Sequence, residues 1–282
     1  MSKTIRKPKT MAELEADYIE YVNASQMHAL DLSCWMPSLG SKVRPLVPGE
    51  LAVIMADTGH CKTACAQNIA VNTPSGLEVL FFELELPGTL CFERFCAMYT
   101  KTPQRDIEDG YRRKRKCQAA ITLENIRVQD QAGLTCAEMT GIIRECGDIN
   151  IVVVDYVGLV GATGTRSRYE RVSEVAEQLK VMAKETNTVV LATTQVHRKG
   201  DQYPDELYIH DAKDSGSIEN SAGVLLGVWK DSKDTKQLHI KILKNTKGEA
   251  GDIIDCEVDW PSLRIREDLT GITPEEPEEF RA

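Results

Sequence analysis

From Leu51 to Ala56 the chain reads LAVIMA, a run without a polar side chain. A run this short, bounded by polar residues, predicts a strand buried on both faces. TACAQNIAV (63–71) follows and suits a helix. EVLFFE (78–83) predicts a second strand, and Pro87 opens a helix toward Tyr99. DIEDGYRRKRKCQAA (106–120) reads as mostly helical and basic, and NIRVQD (125–130) as a short strand. Thr135 is placed to cap a helix reaching Cys146. NIVVVD (150–155) has the nearly continuous apolar run of a central parallel strand. Between Arg168 and Thr186, Val172, Val175, Ala176, Leu179, Met182 and Ala183 recur at the helical period. TVVLATTQ (188–195) predicts another buried strand. Beyond residue 222 only strands follow: GVLLGVW, QLHIKILK and DIIDCEVD. Alternating β and α units with a β-rich end predict an α/β fold. Its sheet is mostly parallel, flanked by helices, with antiparallel strands at the C-terminal edge.

The margins differ. Residues 1–10 are polar and basic and read as a disordered arm. Met11, Leu14, Tyr18, Ile19 and Val22 lie at helical spacing, so 11–23 predicts an amphipathic helix that packs on its own domain or on a neighbouring subunit. Residues 24–48 read as irregular, broken by Pro37, Gly40, Pro45 and Pro48. The expected division is an arm at 1–10, a helix and connection at 11–30, one domain at 31–270, and a disordered acidic tail at 271–282.

Composition narrows the function classes. A net charge of -9 excludes a surface coated with nucleic-acid-binding charge but leaves room for a local basic lining. The run YRRKRK (111–116) reads as the solvated face of a helix before it reads as a DNA patch. Nine cysteines without a CxxC pair predict reduced thiols, and five scattered histidines give no zinc pattern. The start of the chain has no apolar signal segment. The most apolar stretch, INIVVVDYVGLVGA, is broken by Asp155 and falls short of the ~20 residues needed to cross a bilayer. A soluble, cytoplasmic protein without membrane contact is expected.

The candidate chemistry begins at ADTGHCKT (56–63), between a strand and a helix. A phosphate loop asks for Gly, four free residues, Gly, Lys and then Ser or Thr. Lys62 and Thr63 are in place, while Ala56 and Cys61 stand at the two glycine positions. Backbone N–H groups of such a loop and the following helix start offer partial positive charge to phosphate oxygens. Thr58, Gly59, His60, Cys61, Lys62, Thr63 and Ala64 are therefore the candidate nucleotide-binding residues. Lys62 would reach the outer phosphates, and Thr63 would join a Mg²⁺ shell. A Cβ at residue 61 costs ~1–2 kcal/mol if the backbone there is left-handed. Past the second strand, Glu85 can activate water for attack on a γ-phosphate, with Glu83 as the competing candidate. Asp155 ends a central strand and can hold Mg²⁺ through water. Gln195 ends another strand and can sense a γ-phosphate.

The order of these motifs resembles the RecA-like motor domain of DnaB-type replicative helicases, a P-loop NTPase fold. The matching segments are ADTGHCKT, ELELP followed by Arg94, DQAGLTCAEM, VVVDYVGLV, SEVAEQLKVMAKE, TTQVHR and DAKDSGSIENSAG. They run in the family's order from about residue 30 to residue 260. The resemblance implies that ATP and Mg²⁺ are the cofactors and that Glu85 is the catalytic glutamate. It implies that Asp155 is the Mg²⁺-linked aspartate, Gln195 the γ-phosphate sensor, and Arg94 a neighbour of the base. Lys213, Asp214 and Gly216 match a loop that follows single-stranded DNA in the channel of a homo-hexameric ring. Arg166, Arg168 and Arg198 lie on neighbouring loops and add charge. A few cations repeated around a ring let an acidic chain bind DNA without reading its sequence.

Two departures shape the expected activity. The family carries a Lys and an Arg, two apart, that act on the neighbour's nucleotide. Lys244 fits the lysine, but Thr246 stands at the arginine, with Lys247 as a substitute lacking the planar fork. Together with Cys61 this predicts slow hydrolysis. The family's N-terminal helical domain, which contacts primase, has no counterpart in these residues, so a helicase loader or primase is a partner by resemblance alone. The expected function is an ATP-driven helicase motor. The alternatives are an ATP-switched DNA-binding or helicase-loading protein, and a scaffold without turnover. The intact Lys62, Thr63, Glu85, Asp155 and Gln195 argue against the scaffold.

Overall fold

The computed structural model describes residues 7–162, 167–196, 206–211, 216–231 and 234–268. The predicted α/β alternation is present, and its elements follow the apolar runs. β1 (Leu51–Ala56) leads into α3 (Lys62–Asn72), preceded by α1 (Met11–His28) and α2 (Pro37–Lys42). β2 (Val79–Glu83), α4 (Gly88–Thr100), α5 (Gln104–Arg112), α6 (Ala119–Thr122) and β3 (Ile126–Gln129) come next. α7 (Cys136–Cys146), β4 (Ile151–Asp155), α8 (Arg168–Thr186) and β5 (Val189–Gln195) complete the alternating part. α9 (Gly216–Ser221) then precedes β6 (Val224–Lys230), β7 (Gln237–Asn245), β8 (Ile253–Asp259) and β9 (Arg264–Glu267).

One nine-stranded sheet has the order β3-β2-β4-β5-β1-β6-β7-β8-β9. The strands from β3 to β6 run parallel, and β7, β8 and β9 add antiparallel pairs at one edge. Because strand side chains alternate between faces, each apolar run serves two cores. Ala52, Ile54, Phe81, Val153 and Leu191 pack with α3 and α4 on one face. Val53, Met55, Phe82, Val154 and Ala192 pack with α7 and α8 on the other. Every residue of β1, β2 and β4 is buried, as a parallel sheet covered on both faces requires.

The register levels the functional strand ends. Ala56 of β1 lies opposite Gln195 of β5, and Glu83 of β2 opposite Asp155 of β4. Because β2 lies on one side of β1 and β6 on the other, the chain opens a crevice at that sheet edge, where ligands of α/β folds bind.

The structure corrects four expectations. The stretch 106–120 is mostly helical, as read, but the run YRRKRK within it is not a helix face. α5 stops at Arg112, Lys114 takes a left-handed conformation (φ 61), and helix resumes only at Ala119. Consecutive cations from Arg112 to Lys116 would repel one another at helical spacing, and breaking the helix separates them. YRRKRK is solvent-exposed, yet only Tyr111 and Arg112 are helical. The stretch 24–48 is not wholly irregular, since α1 continues to His28 and Pro37 starts α2. A proline in the first turn loses no intrahelical bond, so it opens this helix where it was read as a breaker. Residue 10 does not belong to a loose arm: the Thr10 N–H and hydroxyl donate to Glu13 Oε2 at 2.6 and 2.9 Å, which caps α1. Finally, β9 has only four residues and two arginines, too weak an alternation to find by period.

Candidate functional site

The turn between β1 and α3 is built from two left-handed residues. Gly59 has φ 79 and Cys61 has φ 65, at the N-cap of α3. Ala56 is an ordinary last strand residue and needs no glycine. Cys61 therefore pays the steric cost of a Cβ where glycine would not, and its side chain packs against the α3 core. Burial pushes the Cys61 thiol up to about 11, which leaves it protonated and sluggish toward oxidants at neutral pH. Replacing Cys61 by glycine removes strain of ~1–2 kcal/mol and should tighten nucleotide binding up to about tenfold. A fluorescent-nucleotide titration checks this. Weaker binding by Cys61→Gly would refute the strained-loop account.

Lys62, the first residue of α3, gathers the strand-end carboxylates. Its Nζ lies 3.1 Å from Glu85 Oε2 and 3.6 Å from Asp155 Oδ1, and 4.4 Å from the centre of the Tyr156 ring. It also donates to the Thr63 hydroxyl at 3.4 Å. Asp155 is fully buried. Thr193 donates its hydroxyl to Asp155 Oδ1, while Asp155 Oδ2 is buried with no hydrogen-bond partner. Such an orphaned carboxylate oxygen beside Thr63 and Lys62 fits a hydrated Mg²⁺, which takes one or two protein groups and fills its shell with water and phosphate oxygens. Gln195 donates its amide N–H to the Thr58 hydroxyl, joining the end of β5 to the loop.

Lys62, Thr63 and Gln195 share one cleft of about 250 Å³ with Thr58, Gly59, Cys61, Ala64, Arg94 and Glu85. Asp155 is buried and does not line it, and reaches it through Lys62. Among the loop residues His60 is the exception. Its ring is buried, and Nδ1 accepts from the backbone N–H of Lys230 at 3.0 Å, so only its backbone faces the loop. Leu86, Tyr156, Trp260 and Leu263 also line the cleft and escaped the sequence reading. Tyr156 follows Asp155 directly and was within reach of it. Trp260 and Leu263 come from the turn between β8 and β9, about 200 residues from the loop, and no local pattern joins them to it.

Glu83 and Glu85 separate cleanly. Glu85 is half-exposed and lines the cleft. Glu83 is fully buried, and its Oε1 accepts N–H bonds from Glu85 at 3.2 Å and Leu86 at 3.0 Å. Burial first, and the nearby Asp155 charge second, push the Glu83 carboxyl up to about 7 from 4.5. The folded state therefore holds more protons than the unfolded state between these values. Stability contributed by the neutral carboxyl is full below pH 4.5 and is lost as pH rises through 7, a loss of about 3 kcal/mol at most. Glu83→Gln, which does not titrate, should be more stable than wild type at pH 8 by about 1–3 kcal/mol and match it near pH 5. Urea unfolding at both pH values checks this, and equal stabilities at pH 8 would refute it.

Lys244 lies on β7 opposite Leu225, and its Nζ donates to the carbonyl of Glu219 in α9 at 2.5 Å. That is the α8 and α9 face of the sheet, whereas the cleft opens beside α3. Lys247 is held by Glu50 at 2.6 Å and by the Pro45 carbonyl at 2.9 Å. Gly216 opens α9 and is exposed. Arg166, Arg198, Lys213, Asp214 and the tail 271–282 lie outside the described residues. Among the described residues no helix is long and apolar enough to cross a membrane.

Comparison with known proteins addresses the fold and the family. The fold is similar to the ATPase domain of G40P, with TM-score 0.78 and 20% identity over 92% of this chain and 99% of that one. It is also similar to a DnaB-like replicative helicase whose structure was reported with its interactions with primase, with TM-score 0.74 and 19% identity over 94% and 68%. At these identities the likeness shows the fold alone, the RecA-like α/β sheet. In sequence, the chain is 27% identical over 272 residues to the replicative DNA helicase DnaB of Pasteurella multocida, covering 90% of this chain and 57% of that protein. It is 28% identical over 244 residues to that of Mycoplasma genitalium, covering 80% and 52%. The chain thus spans about half the length of these curated relatives. Residues 32–259 match the DnaB-like helicase C terminal domain, most of the chain, and the chain belongs to that family.

Proposed function

We propose that this chain is the motor domain of a replicative DNA helicase, hydrolysing ATP between the subunits of a homo-hexameric ring that moves along single-stranded DNA. The observation that carries the reading is the convergence of Lys62, Glu85, Asp155 and Gln195 at one sheet edge, around a strand–loop–helix turn.

The geometry supports a role for each residue. Lys62 pairs with Glu85. Phosphate oxygens compete for that ammonium group, and their arrival releases the Glu85 carboxylate to accept a proton from attacking water. Mg²⁺, when bound with the nucleotide, neutralises charge on the phosphates. Thr63 and Asp155 are the residues that would hold it. Gln195 hydrogen-bonds the loop residue Thr58 and stands at the end of β5, which suits a sensor that links the nucleotide to the segment after it. Arg94, Leu86, Trp260 and Leu263 form the outer part of the cleft and suit the base and sugar.

Ring assembly has separate support. Lys244 points away from its own cleft, which suits action on a neighbouring subunit's nucleotide. On α1, Met11, Tyr18 and Ile19 are 80%, 59% and 57% exposed, an apolar face that a second copy would cover. Binding of DNA by Arg198, Lys213, Asp214 and Gly216, a loader or primase as partner, and action in the cytoplasm rest on the sequence resemblance. A second reading, an ATP-switched DNA-binding protein, is favoured by two observations: the left-handed Cys61 and the capture of Lys247 by Glu50. Both point to slow turnover.

ATP hydrolysis by the wild-type chain, with and without single-stranded DNA, tests the proposal. Turnover stimulated by DNA is the expected result. Nucleotide binding without turnover, with or without DNA, would overturn the motor and leave the switch.

A further inference from the structure

We infer that Glu83 positions the catalytic Glu85, acting through the backbone of the turn that carries it. The inference rests on Glu85 being the residue that activates water. Three successive N–H groups after β2 are tied down. Leu84 donates to the Asp155 carbonyl at 2.8 Å, which continues the β2–β4 ladder. Glu85 and Leu86 then donate to a single oxygen of Glu83, at 3.2 and 3.0 Å. One carboxyl oxygen thus closes a turn that the ladder leaves open.

The placement is not explained by packing. Val79 and Phe81, on the same face of β2, are apolar members of the α3 core. Glu83 is just as buried, yet its Oε2 has no hydrogen-bond partner. A buried carboxyl with one unpartnered oxygen is costly, and it needs a compensating role. It is fully buried, whereas Glu85 lines the cleft where the attacking water would stand. What it touches is the backbone of Glu85.

Lys62 is the ion-pair partner of the Glu85 side chain, and phosphate takes that partner away. The Glu83 bonds do not involve Lys62 and persist when it turns to phosphate. They fix the Glu85 Cα while its carboxylate is released to water. A displacement of about 1 Å at a reacting group can cost about a hundredfold in rate, so this anchor matters most at the chemical step.

The test compares Glu83→Gln, which keeps the accepting oxygen, with Glu83→Met, which has similar volume and no such acceptor. kcat and KM for ATP are measured at saturating single-stranded DNA, and hydrogen exchange is followed at the amides of Glu85 and Leu86. Glu83→Met is expected to lower kcat about ten- to a hundredfold with KM within about threefold, and to speed exchange at both amides. Glu83→Gln is expected to match wild type in kcat and exchange. Unchanged exchange in Glu83→Met would overturn the inference. So would a Glu83→Gln variant as damaged as Glu83→Met, or a defect confined to KM. If wild type itself fails to turn over ATP, the reading of Glu85 falls, while the exchange comparison still decides whether Glu83 holds the turn.

Discussion

Lys62→Ala is expected to lower ATP turnover about 10²–10³-fold, the effect of removing one preorganised donor from developing phosphate charge. It should also weaken nucleotide binding at least about tenfold, because a charge-assisted hydrogen bond contributes about 1.5–3 kcal/mol. Both losses come from one atom. Lys62 Nζ sits where the first turn of α3, Glu85 and Asp155 meet, and Lys62 and Arg94 are the cations lining the cleft among the described residues. The variant has a structural consequence as well. Asp155 is fully buried, and alanine removes the ammonium group 3.6 Å from it. The folded state should therefore lose stability in the absence of nucleotide. Steady-state hydrolysis, nucleotide titration and thermal unfolding separate these effects. Wild-type turnover by a folded Lys62→Ala variant would remove the phosphate-loop assignment.

Glu85→Gln should act differently. Turnover falls about 10²–10⁴-fold, the range for removal of a general base, while nucleotide affinity stays within a few-fold. Glutamine has the same shape and cannot take a proton at neutral pH. Loss of the Glu85 charge also frees Lys62 from its 3.1 Å ion pair, which favours phosphate binding if it changes it at all. The pair of variants gives contrasting signatures: Lys62→Ala loses binding and turnover, and Glu85→Gln loses turnover alone. Rapid-quench or steady-state assays at saturating ATP read this directly. A Glu85→Gln variant with wild-type kcat would exclude Glu85 as the base.

Much of this protein was legible as a pattern. The apolar run LAVIMA, the strand-end acids of VLFFE and IVVVD, and the GHCKT turn are local features, because a strand buried on both faces must be apolar throughout. The β-rich end announced the antiparallel edge, and the order of motifs announced the family. Tertiary structure decided what depends on distance through space. The sequence favoured Glu85 by resemblance and left Glu83 as its competitor. Only the turn after β2 aims one at its own backbone and the other at Lys62. The φ of Cys61 could be posed as a question but not answered until the turn was built. Lys247 looked available until Glu50, about two hundred residues earlier, took it. Trp260 and Leu263 joined the cleft because the β8–β9 turn packs over α3, where Asn68 donates to the Leu263 carbonyl at 2.9 Å. Sequence by itself determined which elements form and which chemistry they carry, since both follow from side-chain type and period. Folding decided which of those side chains face the cleft, since that depends on register and on contacts between residues far apart in the chain.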